Sequence, residues 1–225
     1  MADPIEAPAQ QTKPSAGRRL LGWLSDHADI ASAFTLSVAA LLTSWSGYQA
    51  ALWDGDQAAA YSRAGALRTE ASRREVQAGQ LKGADVLMFT QWLGARGHGE
   101  TALADFYEQR FRPEFRVAHQ AWLATAPLTN PRAPATPFAM PDYRLAAHEE
   151  ATAMEAKASA TFDHGQYANK VSDDFVRASV ILASALFFGG IGQAFRRPAL
   201  HVAMLIVSVV QCVWGVIAML QLPLN

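Results

Sequence analysis

Charged residues are missing from three long apolar stretches of this sequence. Residues 30–53, 178–195 and 198–225 contain no Asp, Glu, Lys or Arg. A helix needs roughly 20 apolar residues to cross the ~30 Å hydrocarbon core of a bilayer. The pattern therefore predicts an all-α membrane protein with transmembrane helices at residues 30–53, 175–195 and 199–222.

Between the first two stretches lies a polar insert, residues 54–174, which we expect to be a long α-helical bundle outside the membrane. Its first part is rich in alanine, glutamine, arginine and glutamate, which favour helix. A group of glycines ends the first predicted helix, Thr101 is expected to cap the second, and Pro113 to kink or restart it. Asp142 is expected to cap a third helix, which continues into the second transmembrane segment because no proline follows until Pro198.

Five prolines between residues 127 and 141 mark a break between the helices of the insert. Proline is excluded from helix interiors and central strands, so this segment is predicted to be extended, polyproline-II-like backbone. Such backbone has free carbonyl groups and a restricted conformation, which favour binding to another protein. The candidate interaction residues are Leu128, Phe138 and Met140, and the alternative is that these side chains hold the segment against its own bundle.

Small residues recur at alternating steps of four and three along both long helices of the insert. Heptad spacing is typical of coiled-coil packing, so we expect the two helices to form a closely packed antiparallel pair. Alanine is abundant in this chain, and a chance alignment of small residues is the alternative. The candidate helix-packing residues are Gly65 and Ser72, within the row Ala58, Ser62, Gly65, Thr69, Ser72, Val76, Gly79 and Gly83, and Gly165 and Ser172, within the row Ala147, Ala151, Met154, Ala158, Thr161, Gly165, Ala168 and Ser172.

Larger apolar residues are concentrated where the first and second helices of the insert should meet, and they predict a modest distal core. In the apolar stretches, Gln211 is the strongest hydrogen-bonding group near mid-membrane, and we expect it to join helices. The residues predicted to form the distal core are Val86, Leu87, Phe89, Trp92, Leu93, Leu103, Phe106, Phe111, Phe115, Trp122 and Leu123.

Positive charges beside the apolar stretches predict the orientation of the chain. Because lysine and arginine collect on the cytoplasmic side, we expect a cytoplasmic N-terminus and a periplasmic insert and C-terminus, in a bacterial inner membrane. Residues 1–29 are predicted to be a disordered cytoplasmic tail, and a cleaved signal peptide is the alternative to an uncleaved anchor. The flanking cations are Lys13, Arg18, Arg19, Arg196 and Arg197.

Composition and motifs disfavour several classes of function. Residues 54–177 mix 14 basic with 16 acidic side chains, so no basic surface for nucleic acid is predicted. The single cysteine, Cys212, lies in the third apolar stretch, which excludes disulfides within the insert. No phosphate loop, nucleophile motif or metal-ligand spacing is present, so we expect no enzymatic activity, cofactor or metal. The histidines of the insert are predicted to be surface residues: His98, His119, His148 and His164.

Five short segments of the chain form distinctive motifs: TSWSGYQAALW at 43–53, FRPEF at 111–115, AWLAT at 121–125, PLTNP at 127–131 and PFAMP at 137–141. They resemble segments of an uncharacterised family of bacterial three-span inner-membrane proteins with a helical periplasmic insert. The similarity covers residues 30–197. It implies the three-span layout and a bacterial inner membrane, and it implies no particular activity.

Two classes of function fit these observations. The first is a non-enzymatic structural or accessory subunit, embedded in the lipid bilayer, whose helical insert binds a protein partner or a second copy of the chain. The alternative is a small-molecule sensor or regulatory subunit whose output lies in a partner protein. We favour the first, because the predicted cytoplasmic segments are about 29 residues and a tight hairpin, too short for an output domain.

Overall fold

A computed structural model of the chain describes residues 16–195 and 197–224. No strand occurs in that part of the chain, which confirms the predicted all-helical class. The helices are α1 Ala16–Gly97, α2 Thr101–Glu108, α3 Pro113–Ala124, α4 Ala146–Gln193 and α5 Pro198–Leu220, with a 3-10 turn at Pro137–Ala139 between α3 and α4.

Three of these helices, α1, α4 and α5, contain stretches long and apolar enough to cross a membrane, as predicted. Helix α1 runs from an apolar stretch into the polar insert, and α4 runs from the insert into an apolar stretch. Each is a single uninterrupted helix. The sequence permits this because no proline lies between Pro14 and Pro113, or between Pro141 and Pro198.

Glycine and proline set the ends of the first three helices. The first helix ends at Gly97, and Gly99 follows with a φ of +78°, a conformation that glycine adopts without steric cost. Glu100, not Thr101, is the N-cap of α2, so the predicted cap is one residue too late. Helix α3 begins at Pro113. The first N–H groups of a helix have no partner within it, so the missing N–H of proline costs no hydrogen bond there.

Turns, not polyproline II, make up the proline-rich segment. The N–H groups of Thr129 and Asn130 both donate to the carbonyl of Ala126, and that of Met140 donates to the carbonyl of Pro137. The prediction of extended backbone is wrong, because the residues between the prolines keep their N–H groups and close local turns with them.

Another turn of this kind precedes α4, which starts later than predicted. The N–H of Tyr143 donates to the carbonyl of Met140, and the helix begins only at Ala146. Asp142 therefore lies in the turn and does not cap the helix, which corrects the prediction for that residue.

The described residues divide into two compact units. Unit 1 comprises the described residues within Met1–Gln57 and Gln166–Asn225, and unit 2 comprises Ala58–Gly165. Unit 2 begins four residues beyond the predicted start of the insert at residue 54 and ends nine residues before its predicted end at residue 174.

Unit 1 is held together by small residues at its helix contacts. A side chain added at Gly189 would meet Leu36 at 2.8 Å, and one added at Gly215 would meet Leu182 at 2.7 Å. Because these glycines have no side chain, α4 can approach both α1 and α5 closely. The buried cores of the unit are Ala39, Leu182, Ala185 and Cys212, and, separately, Ala50, Trp53, Ala168, Val171, Phe175, Ala178 and Met219.

Hydrogen bonds also join the helices of unit 1. Ser172 Oγ donates to the carbonyl of Ala50 at 3.0 Å, which links α4 to α1. Gln211 is half-buried on α5, and its Oε1 lies 3.0 Å from Ser184 Oγ on α4. Both candidate helix-packing residues, Ser172 and Gln211, therefore lie at contacts between helices.

In unit 2 the parts of α1 and α4 that belong to the unit run antiparallel. Tyr61 stacks on Phe162 with ring centroids 5.0 Å apart, and Arg74 Nη1 lies 3.1 Å from Glu150 Oε2. Residue numbers thus rise along one helix as they fall along the other.

Alanine and glycine fill the fully buried positions of this contact. On α4 a side chain added at Gly165 would come within 2.6 Å of the Tyr61 ring and 3.3 Å of Ala60 Cβ. The buried residues of the contact are Ala60, Ala64, Ala71 and Ala78, here called the inner row of α1, and Ala147, Ala151, Ala158 and Gly165 on α4.

The row predicted for α1, here called the outer row, lies beside this contact and is not buried in it. Gly65 and Ser72 are exposed, and a side chain added at Gly65 would meet no atom within 4 Å. The prediction that these two residues pack against α4 is wrong by one position, about 100° around the helix. All eight residues of the outer row are exposed: Ala58, Ser62, Gly65, Thr69, Ser72, Val76, Gly79 and Gly83.

Candidate functional site

One end of unit 2 is an aromatic cluster, here called the distal core. Phe115 of α3 has no exposed surface and lies at its centre, stacked on Phe138 with centroids 5.1 Å apart and planes 13° apart. The core brings together the end of α1, both short helices and the segment before α4. Its buried residues are Phe89, Trp92, Ala95, Ala104, Phe111, Phe115 and Trp122.

The sequence predicted only part of this core. Five of the eleven apolar residues expected there are at least 40% exposed. These residues are Val86, Leu87, Leu93, Leu103 and Phe106.

Two of the three candidate interaction residues pack into the distal core. Phe138 contacts the rings of Phe89 and Phe115, and Met140 packs against the same cluster. These side chains hold the proline-rich segment against its own bundle, so their assignment to a partner surface is corrected. Leu128 is 79% exposed and is the only one of the three available to another molecule.

A buried carboxylate ties the distal core to the segment before α4. Asp85 is 2% exposed, and Arg112 donates to both of its oxygens, with Nε–Oδ1 at 3.0 Å and Nη2–Oδ2 at 2.8 Å. The hydroxyl of Tyr143 donates to the same Oδ2 at 3.0 Å. We call this group of three residues the Asp85 clasp, since it joins α1, the start of α3 and the connector, which is the segment 125–145 between α3 and α4.

In the Asp85 clasp the charge of Asp85 is paired with that of Arg112, and both carboxylate oxygens accept hydrogen bonds. The hydrogen bond to Asp85 raises the pKa of the Arg112 guanidinium, and burial followed by the same carboxylate raises the pKa of the Tyr143 phenol. Arginine and tyrosine therefore both keep their protons at neutral pH. A neutralised pair with its donors engaged holds structure together and leaves no free group for chemistry.

Asp85 was not recognised from the sequence, although a signal was present. The inner row of α1, continued by heptad steps from Ala78, reaches Asp85 just before the aromatic residues Phe89 and Trp92. An acidic residue at an otherwise apolar heptad position indicates a buried charge with a partner. The partners could not be identified, because they lie 27 and 58 residues further along the chain.

One of the four histidines of the insert is not at the surface. His119 has no exposed surface and lies among the rings of the distal core, so the prediction for this residue is wrong. The other three are exposed, and His148 Nδ1 lies 2.7 Å from Glu75 Oε2. Among the described residues no group of three or more His, Cys, Asp or Glu side chains could hold a metal ion.

A shallow groove of about 580 Å³ lies between α1 and α4 within unit 2. Alanines form its floor, and Arg68, Glu75 and Glu155 line its rim. Arg68 Nε lies 3.5 Å from Glu155 Oε1, an exposed ion pair that contributes little stability. Ser72 of the outer row also lines the groove, so the groove and the outer row share an open face of unit 2.

The Asp85 clasp predicts an asymmetric response to mutation. Asp85→Ala removes the acceptor shared by Arg112 and Tyr143. Arg112 is 26% exposed and keeps an ion pair with Glu114 at 3.4 Å, so the loss should be ~1–3 kcal/mol, the usual cost of leaving buried hydrogen-bonding groups unpaired. We expect Asp85→Ala to lower the free energy of unfolding of unit 2 by about that amount, and Asp85→Ala/Arg112→Met to recover part of the loss. Denaturant unfolding followed by tryptophan fluorescence measures both.

Asp105→Ala is the matched control, since Asp105 is an exposed carboxylate on α2 and its loss should change stability by no more than ~0.5 kcal/mol. A double variant as unstable as Asp85→Ala alone, or an Asp85→Ala variant as stable as the wild type, would contradict the role given to the clasp.

Comparison with known proteins does not identify a family or a function for this chain. No protein-family model matches the chain, and neither a curated protein nor a solved structure matches it. The resemblance drawn from the sequence motifs therefore stays a prediction, and the open face and the distal core are interpreted from their own residues.

Proposed function

We propose that this chain is an integral protein of a bacterial inner membrane, a non-enzymatic structural or accessory subunit that binds another helix through unit 2. The observation that carries the proposal is the outer row of α1, a heptad-spaced row of small residues that α4 leaves exposed. Such a row suits close packing of a second helix, and Gly65, Gly79 and Gly83 all have open space where a side chain would be.

The length of the apolar segments supports placement in a membrane. Asp29 Oδ1 lies 3.7 Å from His201 Nε2 near one end of unit 1, and the exposed rings of Trp45 and Tyr48 lie towards the other. From Asp29 to Tyr48 a helix rises about 28 Å, close to the thickness of a bilayer core. Tryptophan and tyrosine favour the boundary between lipid and water, so the first span would end near them.

The proposed orientation rests on the cations beside the spans. The positive-inside tendency favours a cytoplasmic N-terminus and hairpin, and a periplasmic insert and C-terminus. Lys13 and Arg196, two of the five cations, lie outside the described residues. Unit 2 would then meet its partner in the periplasm.

A second candidate function is a small-molecule sensor whose output lies in a partner. The groove between α1 and α4 favours it, because about 580 Å³ falls within the range of ~300–1,000 Å³ usual for ligand sites. Ala156→Trp is a variant in which the groove is filled. The sensor function would be favoured over the structural one if a small molecule raised the melting temperature of the wild type but not of this variant.

Chemical crosslinking tests the outer row as a docking face. In a Cys212→Ala background, Gly65→Cys and Ser72→Cys labelled with a benzophenone maleimide should form adducts on illumination in native membranes, because both positions would face the bound helix and the photoactivated ketone inserts into any nearby C–H bond. An adduct of twice the chain mass identifies a second copy, and any other mass identifies a protein partner.

Arg73→Cys is the matched control, since Arg73 is exposed but lies off the outer row. Adding Gly65→Leu to Ser72→Cys should abolish the adduct without disturbing the chain's own packing, since a Cβ at that position would have no atom of another part of the chain within 4 Å. Equal adducts at Arg73 and Ser72, or none at Gly65 and Ser72, would overturn the docking proposal.

The orientation is tested by accessibility from outside the cell. Single cysteines at Ala135 and Asn225 should react with an impermeant maleimide in intact spheroplasts, while one at Gln10 should react only after lysis. The opposite pattern, with Gln10 alone labelled, would place unit 2 in the cytoplasm.

A further inference from the structure

His119 is an ionisable side chain buried among the aromatic side chains of the distal core. It occupies the buried face of α3, one turn after Phe115 and close to Trp122, and it has no exposed surface. Five aromatic rings surround the imidazole, with centroids at distances from 4.5 Å for Trp92 to 6.2 Å for Phe89. The other three are Phe111 at 4.9 Å, Phe115 at 6.0 Å and Trp122 at 6.1 Å.

Neither ring nitrogen of His119 has a hydrogen-bond partner within the described chain. A neutral imidazole is an uncharged aromatic ring, so it packs among the other rings with one N–H and one acceptor nitrogen unpaired. An imidazolium would carry two N–H donors and a full charge in the same surroundings, and burial of an unpaired charge is strongly unfavourable. Attraction of a cation to ring faces would offset only part of that cost.

The charged groups near His119 do not supply a counter-ion. Glu108 of α2 favours the protonated ring, while Arg96 of α1, which lies over the Trp92 ring, opposes it. Arg116, on the same helix, is engaged with the carbonyls of Gln109 and Phe111 through Nη2. From the connector, the Tyr143 ring lies against Phe115, and its hydroxyl donates to Asp85.

We propose that His119 makes the distal core an acid-sensitive switch, in which protonation of this imidazole releases α2, α3 and the connector from the end of α1. The open state exposes both ring nitrogens to water, where the charge is solvated. The neutral state keeps the rings packed. This inference does not depend on the docking face or on which side of the membrane unit 2 occupies.

Burial lowers the pKa of His119 below its ordinary value in the closed core, and Glu108 and Arg96 contribute smaller, opposing effects. The open state therefore binds protons more readily than the closed one. Stability of the closed core is fully present above the ordinary histidine pKa of ~6.5 and falls as pH decreases below it, by up to ~tenfold in the opening constant per pH unit. Between pH 7.5 and pH 5.0 the opening constant should rise by up to roughly thirtyfold.

Hydrogen–deuterium exchange on the full chain in lipid nanodiscs tests the switch. After correction for the intrinsic pH dependence of exchange, amides of residues 101–124 should lose protection at pH 5.0 relative to pH 7.5. His119→Phe should abolish the loss, because phenylalanine fills the site and does not titrate. His98→Asn, which removes an exposed histidine at the end of α1, should respond like the wild type.

His119→Leu serves as a second neutral variant if phenylalanine overpacks the core. Protection of residues 101–124 should be independent of pH between 5.0 and 7.5 in whichever variant folds. An acid-induced loss of protection in His119→Phe or His119→Leu equal to that of the wild type would overturn the proposal. So would a wild type whose protection does not change with pH.

Discussion

Close approach of α1 and α4 within unit 2 requires that no side chain larger than a methyl group occupy the centre of their contact. Every fully buried position between residues 58 and 81 is alanine, and the opposing positions on α4 are alanine or glycine. Gly165 is the extreme case, since the Tyr61 ring occupies the space that a side chain would need. The pairing of the two helices and the groove beside it follow from this contact.

Alanine pairs alone bury little apolar surface, so the contact needs support elsewhere. Burial of a large apolar side chain contributes about 1.5–3 kcal/mol, much more than burial of a methyl group. Large side chains are concentrated in the distal core, where Phe89, Phe115 and Trp122 pack, and the Asp85 clasp closes its edge. One end of unit 2 thus fixes the rotation of α1, and with it the choice of which small residues are buried.

The sequence predicted the number and type of the long helices because apolar runs and missing prolines are local signals. It could not choose between the inner and outer rows of α1, because both rows are rich in small residues. What distinguishes them is that the inner row leads on to Asp85, Phe89 and Trp92, whose contacts come from α3 and the connector. His119 and Phe138 were misjudged for the same reason, since polarity and proline content say nothing about distant packing partners.

The most direct measurement compares leucine at two glycines, Gly165 in the contact and Gly65 in the outer row. Gly165→Leu should lower the thermal unfolding temperature of the detergent-solubilised chain by several degrees, because overpacking typically costs ~1–3 kcal/mol. Gly65→Leu should leave it unchanged or raise it slightly, since leucine has the higher helix propensity by up to ~1 kcal/mol. A loss for Gly65→Leu equal to that for Gly165→Leu, or no loss for Gly165→Leu, would contradict the assignment of the inner row as the packed face.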